Sequence, residues 1–452
     1  APCGPARASL FTGQYAMNHR SVRNGTPLRH DIPNLATTLR SQGYDPQLYG
    51  YTDAAQDPRV LSPDDPRLET YEELLPGFTE ALRLRQETDV LAWTRHLRTK
   101  GYDVPPDDRL YVPASPEITA PAFYRAEDSD TAFLADATLA GLAKASPGWC
   151  ATACFIRPHP PFVAPAPYNS LFDPAAMPAP ATTRDPHGDR DWHPFLAPAQ
   201  DRAPVASVVD GFPDLKPTAE AISRIRAVYC GLAAEVDHHF GRIMRWLDES
   251  GQAEDTVVVV TADHGEMLGD FGLWGKGSFH DASFRIPLLI RDPGHPGAAG
   301  RSVADPTESV DVMPTLLELA GAPVPPSVDG TSLVPLLGSG GWMKRVSVSE
   351  LDFGNPLKPT RQQTALDIPS RQANLAVLRT DRFRLVQFAA DLPPVLFDMD
   401  AGGETLDVSG DTSMAGVLGD LTAMMLRHRM RHADGTFAQT LIADGGVRTG
   451  RF

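Results

Sequence analysis

The sequence predicts an α/β protein: a mostly parallel central sheet with helices on both faces, followed by a small α+β subdomain. Three observations predict it. First, Thr256-Val257-Val258-Val259-Val260-Thr261 is a continuous β-branched run, the pattern of a strand buried on both faces of a parallel sheet. Second, Ile225, Val228, Leu232, Val236, Phe240, Ile243 and Leu247 recur at intervals of three and four, so 222–249 reads as an amphipathic helix. Helix, short loop and strand in that order make one unit of a doubly wound sheet. Third, the pattern changes after residue 340 to short alternating segments, which divides the chain into a large N-terminal domain (1–340) and a small C-terminal subdomain with a tail (341–452).

The remaining elements follow in order. Residues 35–42, 131–142 and 312–320 read as helices, the last stopped by Gly321. Residues 48–51, 149–156 and 286–290 read as strands. Two long stretches, 57–126 and 158–213, are irregular and rich in proline, the first with a helical patch over 80–98. Long ordered loops on an α/β scaffold usually shape a site. In the subdomain, 377–379 and 383–388 read as antiparallel strands joined by a turn, 396–399 as a third strand and 418–428 as a closing helix. The last twenty or so residues are polar and glycine-rich, suited to an arm that reaches a neighbouring subunit of a homo-oligomer.

Composition narrows the function. The chain has 452 residues, of which 42% are hydrophobic, enough for a large core. Its net charge of -16 disfavours binding to nucleic acid or to an anionic membrane surface. No segment approaches the length of a membrane span. Four cysteines without a C-x-x-C pair are not a disulfide framework, and Cys150, Cys154 and Cys230 read as small buried hydrophobes.

Four places carry chemistry. Cys3 stands just before an apolar helical start, where the positive end of a helix dipole favours an anion. Asp263 and His264 stand at the carboxyl end of the valine strand, where open α/β sheets bind ligands. A carboxylate beside an imidazole there fits a metal pair or, equally, a capped helix start. Lys276 lies between two glycines in Trp274-Gly275-Lys276-Gly277. His159 lies between prolines in Arg157-Pro158-His159-Pro160-Pro161, which fixes its orientation whether it serves chemistry or a backbone partner. His238 and His239 are adjacent on the long helix and diverge too far to share one ion.

The run Cys3-Gly4-Pro5-Ala6-Arg7, followed by a small-residue helix and Thr12-Gly13, resembles the signature of the sulfatase family. The resemblance covers nearly the whole chain and implies an alkaline-phosphatase-like fold. It implies that a formylglycine-generating enzyme oxidises Cys3 to formylglycine. The hydrated aldehyde then attacks sulfur or phosphorus of a small anionic ester with one hydroxyl, and collapse through the second releases the oxyanion. By the same resemblance Arg7 steadies the diol, and Asp263, His264 and the modified Cys3 hold calcium or manganese. Lys276 contacts the transferred group, His159 binds substrate oxygen or protonates the leaving alkoxide, and Asn24 lines the site.

One departure stands out. Where many sulfatases have a G-K-x-H lysine, this chain has Gly50-Tyr51-Thr52-Asp53, which resembles the phosphonate monoester hydrolase branch. There Tyr51 contacts substrate with a nearby hydroxyl, supplied here by Thr52 or replaced by Asp53. The branch and the low cysteine use suggest a cytoplasmic home. Sulfatases also begin with a strand that ends in two adjacent carboxylates. Nothing before Cys3 supplies these, so the chain as given is expected to bind metal poorly, to be inactive and to leave its sheet unpaired in the middle. The rival readings are a phosphodiesterase or phosphopentomutase relative with a serine or threonine nucleophile, and a non-catalytic scaffold.

Overall fold

The protein was analysed as a computed structural model, which describes all residues except 87, 339–345, 435–439, 444–445 and 450–452. Helix α1 (Cys3–Thr12) is followed by α2 (Leu35–Ser41) and by strand β1 (Asp45–Gly50). Strand β1 pairs in parallel with β2 (Thr79–Arg83) on one edge and with β3 (Trp149–Ala153) on the other.

Alternation along β1 sorts the core onto two faces. Leu48 points to one face and packs with Ala8 and Phe11 of α1, Leu35 and Leu39 of α2, and Met313 and Leu317 of α6 (Val312–Leu319). Its neighbour Tyr49 points to the other face and packs with Trp93 and Leu97 of α3 (Leu91–Thr99) and Leu134 of α4 (Asp130–Leu142). Each fully buried leucine contributes about 2 kcal/mol. These two layers fix where the strand ends point.

The long helix α5 (Ala219–Glu249) leads into β4 (Val258–Thr261), as the apolar spacing predicts. Among the described residues β4 pairs only with β5 (Leu288–Arg291), and antiparallel, so the valine run is half-buried and not enclosed on both faces. A second departure concerns 80–98. Its first part is strand β2, and only 91–99 is helical. Thr79-Glu80-Ala81-Leu82-Arg83 has helix-forming composition, but pairing with β1 decides its conformation.

The subdomain is a four-stranded antiparallel meander: β6 (Ser347–Asp352), β7 (Asn374–Arg379), β8 (Phe383–Phe388) and β9 (Val395–Asp398). The boundary expected after residue 340 lies in 339–345, outside the described residues. One face of the meander packs on Leu421 and Met425 of α7 (Ala415–Arg431). The other packs Leu375, Val377, Val386 and Phe397 against Phe195, Phe271 and Phe279 of the N-terminal part. Buried Arg384 adds ion pairs to Asp281 and Glu404 and a hydrogen bond to the Phe279 carbonyl. The segment after Lys276 is thus pinned to the meander. A final hairpin joins β10 (Thr440–Ala443) to β11 (Gly446–Thr449). No helix among the described residues is long and apolar enough to cross a membrane.

Candidate active site

Cys3 is the first residue of α1 and is 5% exposed. The side-chain carbonyl of Asn24 accepts a hydrogen bond from the Gly4 N–H at 2.9 Å, satisfying one of the donors that a helix start leaves open. Asn24 therefore fixes the start of the helix that presents Cys3.

The residues after β4 form a loop and not a capped helix, which removes the competing reading of Asp263. Gly265 makes that loop possible: a Cβ there would stand 2.1 Å from the Ala282 carbonyl oxygen. The loop brings Cys3 Sγ, a carboxylate oxygen of Asp263 and a ring nitrogen of His264 within 4.8 Å of one another. His264 Nδ1 bonds the Gly265 carbonyl at 2.9 Å, so Nδ1 carries the proton and Nε2 turns its lone pair to Cys3 Sγ, 3.1 Å away. Burial lowers the His264 pKa, which keeps that lone pair available. Asp263 is half-buried, which pushes its carboxyl up, but Arg7 and His264 outweigh this and hold it well below the usual range.

Arg7 is the hub of the acidic side. Its Nε donates to Asp263 Oδ2 at 2.9 Å and lies 3.6 Å from Asp53 Oδ2. Its Nη1 donates to the Tyr51 carbonyl at 2.9 Å, and its guanidinium carbon stands 4.5 Å from the Tyr51 ring centroid. Tyr51 arrives there because β1 ends at Gly50, whose φ of 112° brings the backbone close to the Cys154 carbonyl. Burial holds the Tyr51 phenol protonated well above its usual range.

The structure also separates Thr52 from Asp53. The Thr52 hydroxyl donates to the Glu73 carbonyl at 2.7 Å and accepts from Leu75 N–H at 2.8 Å, so it is committed to the neighbouring loop. Asp53, at a φ of 53°, turns toward Arg7. The structure thus brings Asp53, and not Thr52, to the cluster.

Opposite the acidic side, Lys276 Nζ donates to His159 Nε2 at 2.9 Å, and His159 Nδ1 donates to the Pro160 carbonyl at 2.6 Å. Burial lowers the His159 pKa, so the ring is neutral and accepts from the lysine. Two residues here escaped the sequence reading. Cys154, taken as packing, has its Sγ 3.2 Å from Arg7 Nη1. Glu266 accepts a hydrogen bond from Gly275 N–H, and so ties the Asp263 loop to the residue beside Lys276. The four cysteines are free, in accord with the absence of a disulfide framework.

Three ligand atoms that meet at one point, one an imidazole lone pair and one a carboxylate, suit a divalent cation, although they supply only part of the roughly six ligands a hard ion takes. Comparison with known proteins identifies the family. The sequence profile of the family described as Sulfatase matches residues 1–322. A curated relative, the multifunctional alkaline phosphatase superfamily protein PehA of Trinickia caryophylli, is 36% identical over 99% of this chain and 89% of its own. The choline-sulfatase of Rhizobium meliloti (strain 1021) is 29% identical over 88% of this chain and 71% of its own. Among solved structures, the phosphonate monoester hydrolase SpPMH from Silicibacter pomeroyi superposes with a TM-score of 0.96 at 50% identity, covering 100% of this chain and 90% of that one. The phosphonate monoester hydrolase of Agrobacterium radiobacter gives 0.94 at 40% identity with the same coverage. The chain therefore belongs to the sulfatase family, and is a hydrolase of sulfuric or phosphonate esters with an alkaline-phosphatase-like fold.

Proposed function

We propose that the protein hydrolyses phosphonate monoesters in preference to sulfate esters, with a formylglycine made from Cys3 and a divalent cation, calcium or manganese. One observation carries the reading: Cys3 lies between the Asp263–His264 pair and the Lys276–His159 pair. Asp263, His264 and the modified Cys3 would hold the cation. When Cys3 carries the hydrated aldehyde, that group supplies the attacking hydroxyl. The other residues prepare for it. Asn24 holds the helix start, and Arg7 orients the Asp263 carboxylate. Lys276 lends positive charge to the transferred oxygens, and neutral His159, whose Nε2 accepts from Lys276, would take up the Lys276 proton at Nε2 and hand it to the leaving oxygen. Conversion of Cys3 implies a formylglycine-generating enzyme as partner.

The preference over sulfate rests on the likeness to two phosphonate monoester hydrolases, while charge bears on monoanionic against dianionic esters. Arg7 is shared by two carboxylates, Asp263 and Asp53, and its next neighbour is a neutral phenol. Such a site carries little surplus positive charge of its own, which suits a monoanionic ester, phosphonate or sulfate alike, better than a dianionic phosphate monoester.

The test uses the full-length gene product, co-expressed with the formylglycine-generating enzyme. Mass spectrometry of the peptide with Cys3 first establishes thiol-to-aldehyde conversion. Turnover is then measured on a phenyl phosphonate ester and an aryl sulfate side by side. Faster phosphonate cleavage is expected, with Tyr51→Phe reducing it by about tenfold. Faster sulfate cleavage by the converted protein refutes the preference, and full activity of Tyr51→Phe removes that hydroxyl from the site.

A further inference from the structure

The segment that carries His159 has an unusual shortage of donors. Pro158, Pro160 and Pro161 have no N–H, so 158–161 has a single backbone donor, His159 N, which bonds the Ile156 carbonyl at 3.1 Å. Its carbonyls are gathered by side chains. Arg157 Nη1 donates to the His159 carbonyl and to the Pro161 carbonyl, each at 2.9 Å. The carbonyl between them, of Pro160, accepts from His159 Nδ1. Three successive carbonyls are thus held by one guanidinium and one imidazole, and the middle one also accepts from Gln86 Nε2 at 2.6 Å.

Arg157 is itself held on three sides. Its side chain is 0% exposed. Its Nε donates to Asp130 Oδ2 at 3.1 Å, and its guanidinium carbon stands 4.2 Å from the centroid of the Tyr111 ring. Burying a guanidinium is costly unless it is matched, and a well-packed apolar replacement is often as stable. A role in stability alone does not explain why this charge is aimed at the carbonyls on either side of Pro160. Holding those carbonyls holds the Pro160 oxygen, which keeps the proton on His159 Nδ1 and leaves Nε2 facing Lys276.

We propose that Arg157 is a positioning residue for the leaving-group step: by clamping the carbonyls of His159 and Pro161 it sets the tautomer and aim of the His159 ring. This rests on the reading of His159 as the proton donor to the leaving oxygen, and the experiment separates the two.

The full-length gene product, converted at Cys3, is compared with Arg157→Gln, Arg157→Lys and His159→Ala on two phosphonate monoesters. One has a good leaving group (nitrophenol) and the other a poor one (phenol). Arg157→Gln is expected to lose about 100-fold in kcat on the phenyl ester and under about tenfold on the nitrophenyl ester, with KM within about threefold. His159→Ala is expected to give the same pattern, more strongly. Arg157→Lys keeps the charge beside Asp130 without the planar fork and falls between. It carries the test if thermal melting finds Arg157→Gln unfolded. Equal losses on both esters for the Arg157 variants, or unchanged kcat, overturn the proposal while His159→Ala still discriminates. Equal losses for His159→Ala overturn the His159 reading, and the Arg157 proposal with it.

Discussion

Replacing Glu235 with glutamine should flatten the pH dependence of stability, and the size of the effect follows from where the residue sits. Glu235 is on α5, 0% exposed, against Ser129, Asp130 and Arg157. Burial pushes its carboxyl up from 4.5 to about 8; the nearby Ser129 hydroxyl and the Arg157 charge oppose this, and Asp130 adds to it. The folded protein therefore keeps a proton that the unfolded chain releases above about pH 4.5. Stability falls as pH rises from there to about pH 8 and is flat beyond. Integrated between about pH 5 and about pH 8, this one group removes about 3.5 kcal/mol. Unfolding entropy is about 2 cal/mol/K per residue, so for 452 residues the loss corresponds to about 4 °C in Tm.

Glutamine keeps the shape and cannot ionise. Its amide still has to find partners beside Arg157, which shifts Tm at every pH by a constant amount. The informative quantity is therefore the Tm of Glu235→Gln minus that of the parent, measured by calorimetry at both ends of the range. It should rise by about 4 °C from about pH 5 to about pH 8. A difference that is the same at both values means that Glu235 titrates near its ordinary range, and refutes the reasoning.

Two further predictions concern the site. Asp263→Asn weakens the ligand set and also frees Arg7; elemental analysis is expected to find at least about tenfold less bound divalent metal, and unchanged metal content would remove Asp263 from the ligands. Gly265→Ala places a methyl group 2.1 Å from the Ala282 backbone oxygen, which cannot swing aside. It should cost about 2–4 kcal/mol by chemical denaturation, and an unchanged midpoint would show that the loop after β4 is not held at that point.

What could be read in advance was local. The valine run and the helix before it announce themselves by composition and period, and both formed. Three strands of the meander were legible from their alternation and the short turn, whereas β6 was not named. Strand β2 was not, because its residues prefer a helix and only β1 makes them a strand. The motif residues Cys3, Arg7, Asp263, His264, His159 and Lys276 were named from sequence, and the fold brings them together across separations of up to 261 residues. The choice between Thr52 and Asp53 could not be read, because it depends on a left-handed backbone at one position.

The two buried arginines show why residue type alone is a poor guide to role. Arg7 and Arg157 each face a buried carboxylate, each stack on a tyrosine, and each donate to backbone carbonyls. Their difference lies in what the remaining donors reach. Arg7 touches Asp263, a member of the Cys3 cluster, so its loss acts on the cluster directly. Arg157 reaches only the peptide that carries His159, so its loss acts through the aim of another ring. Removal of Arg7 should therefore lower turnover of every ester alike, whereas removal of Arg157 should matter in proportion to how badly the leaving group needs a proton.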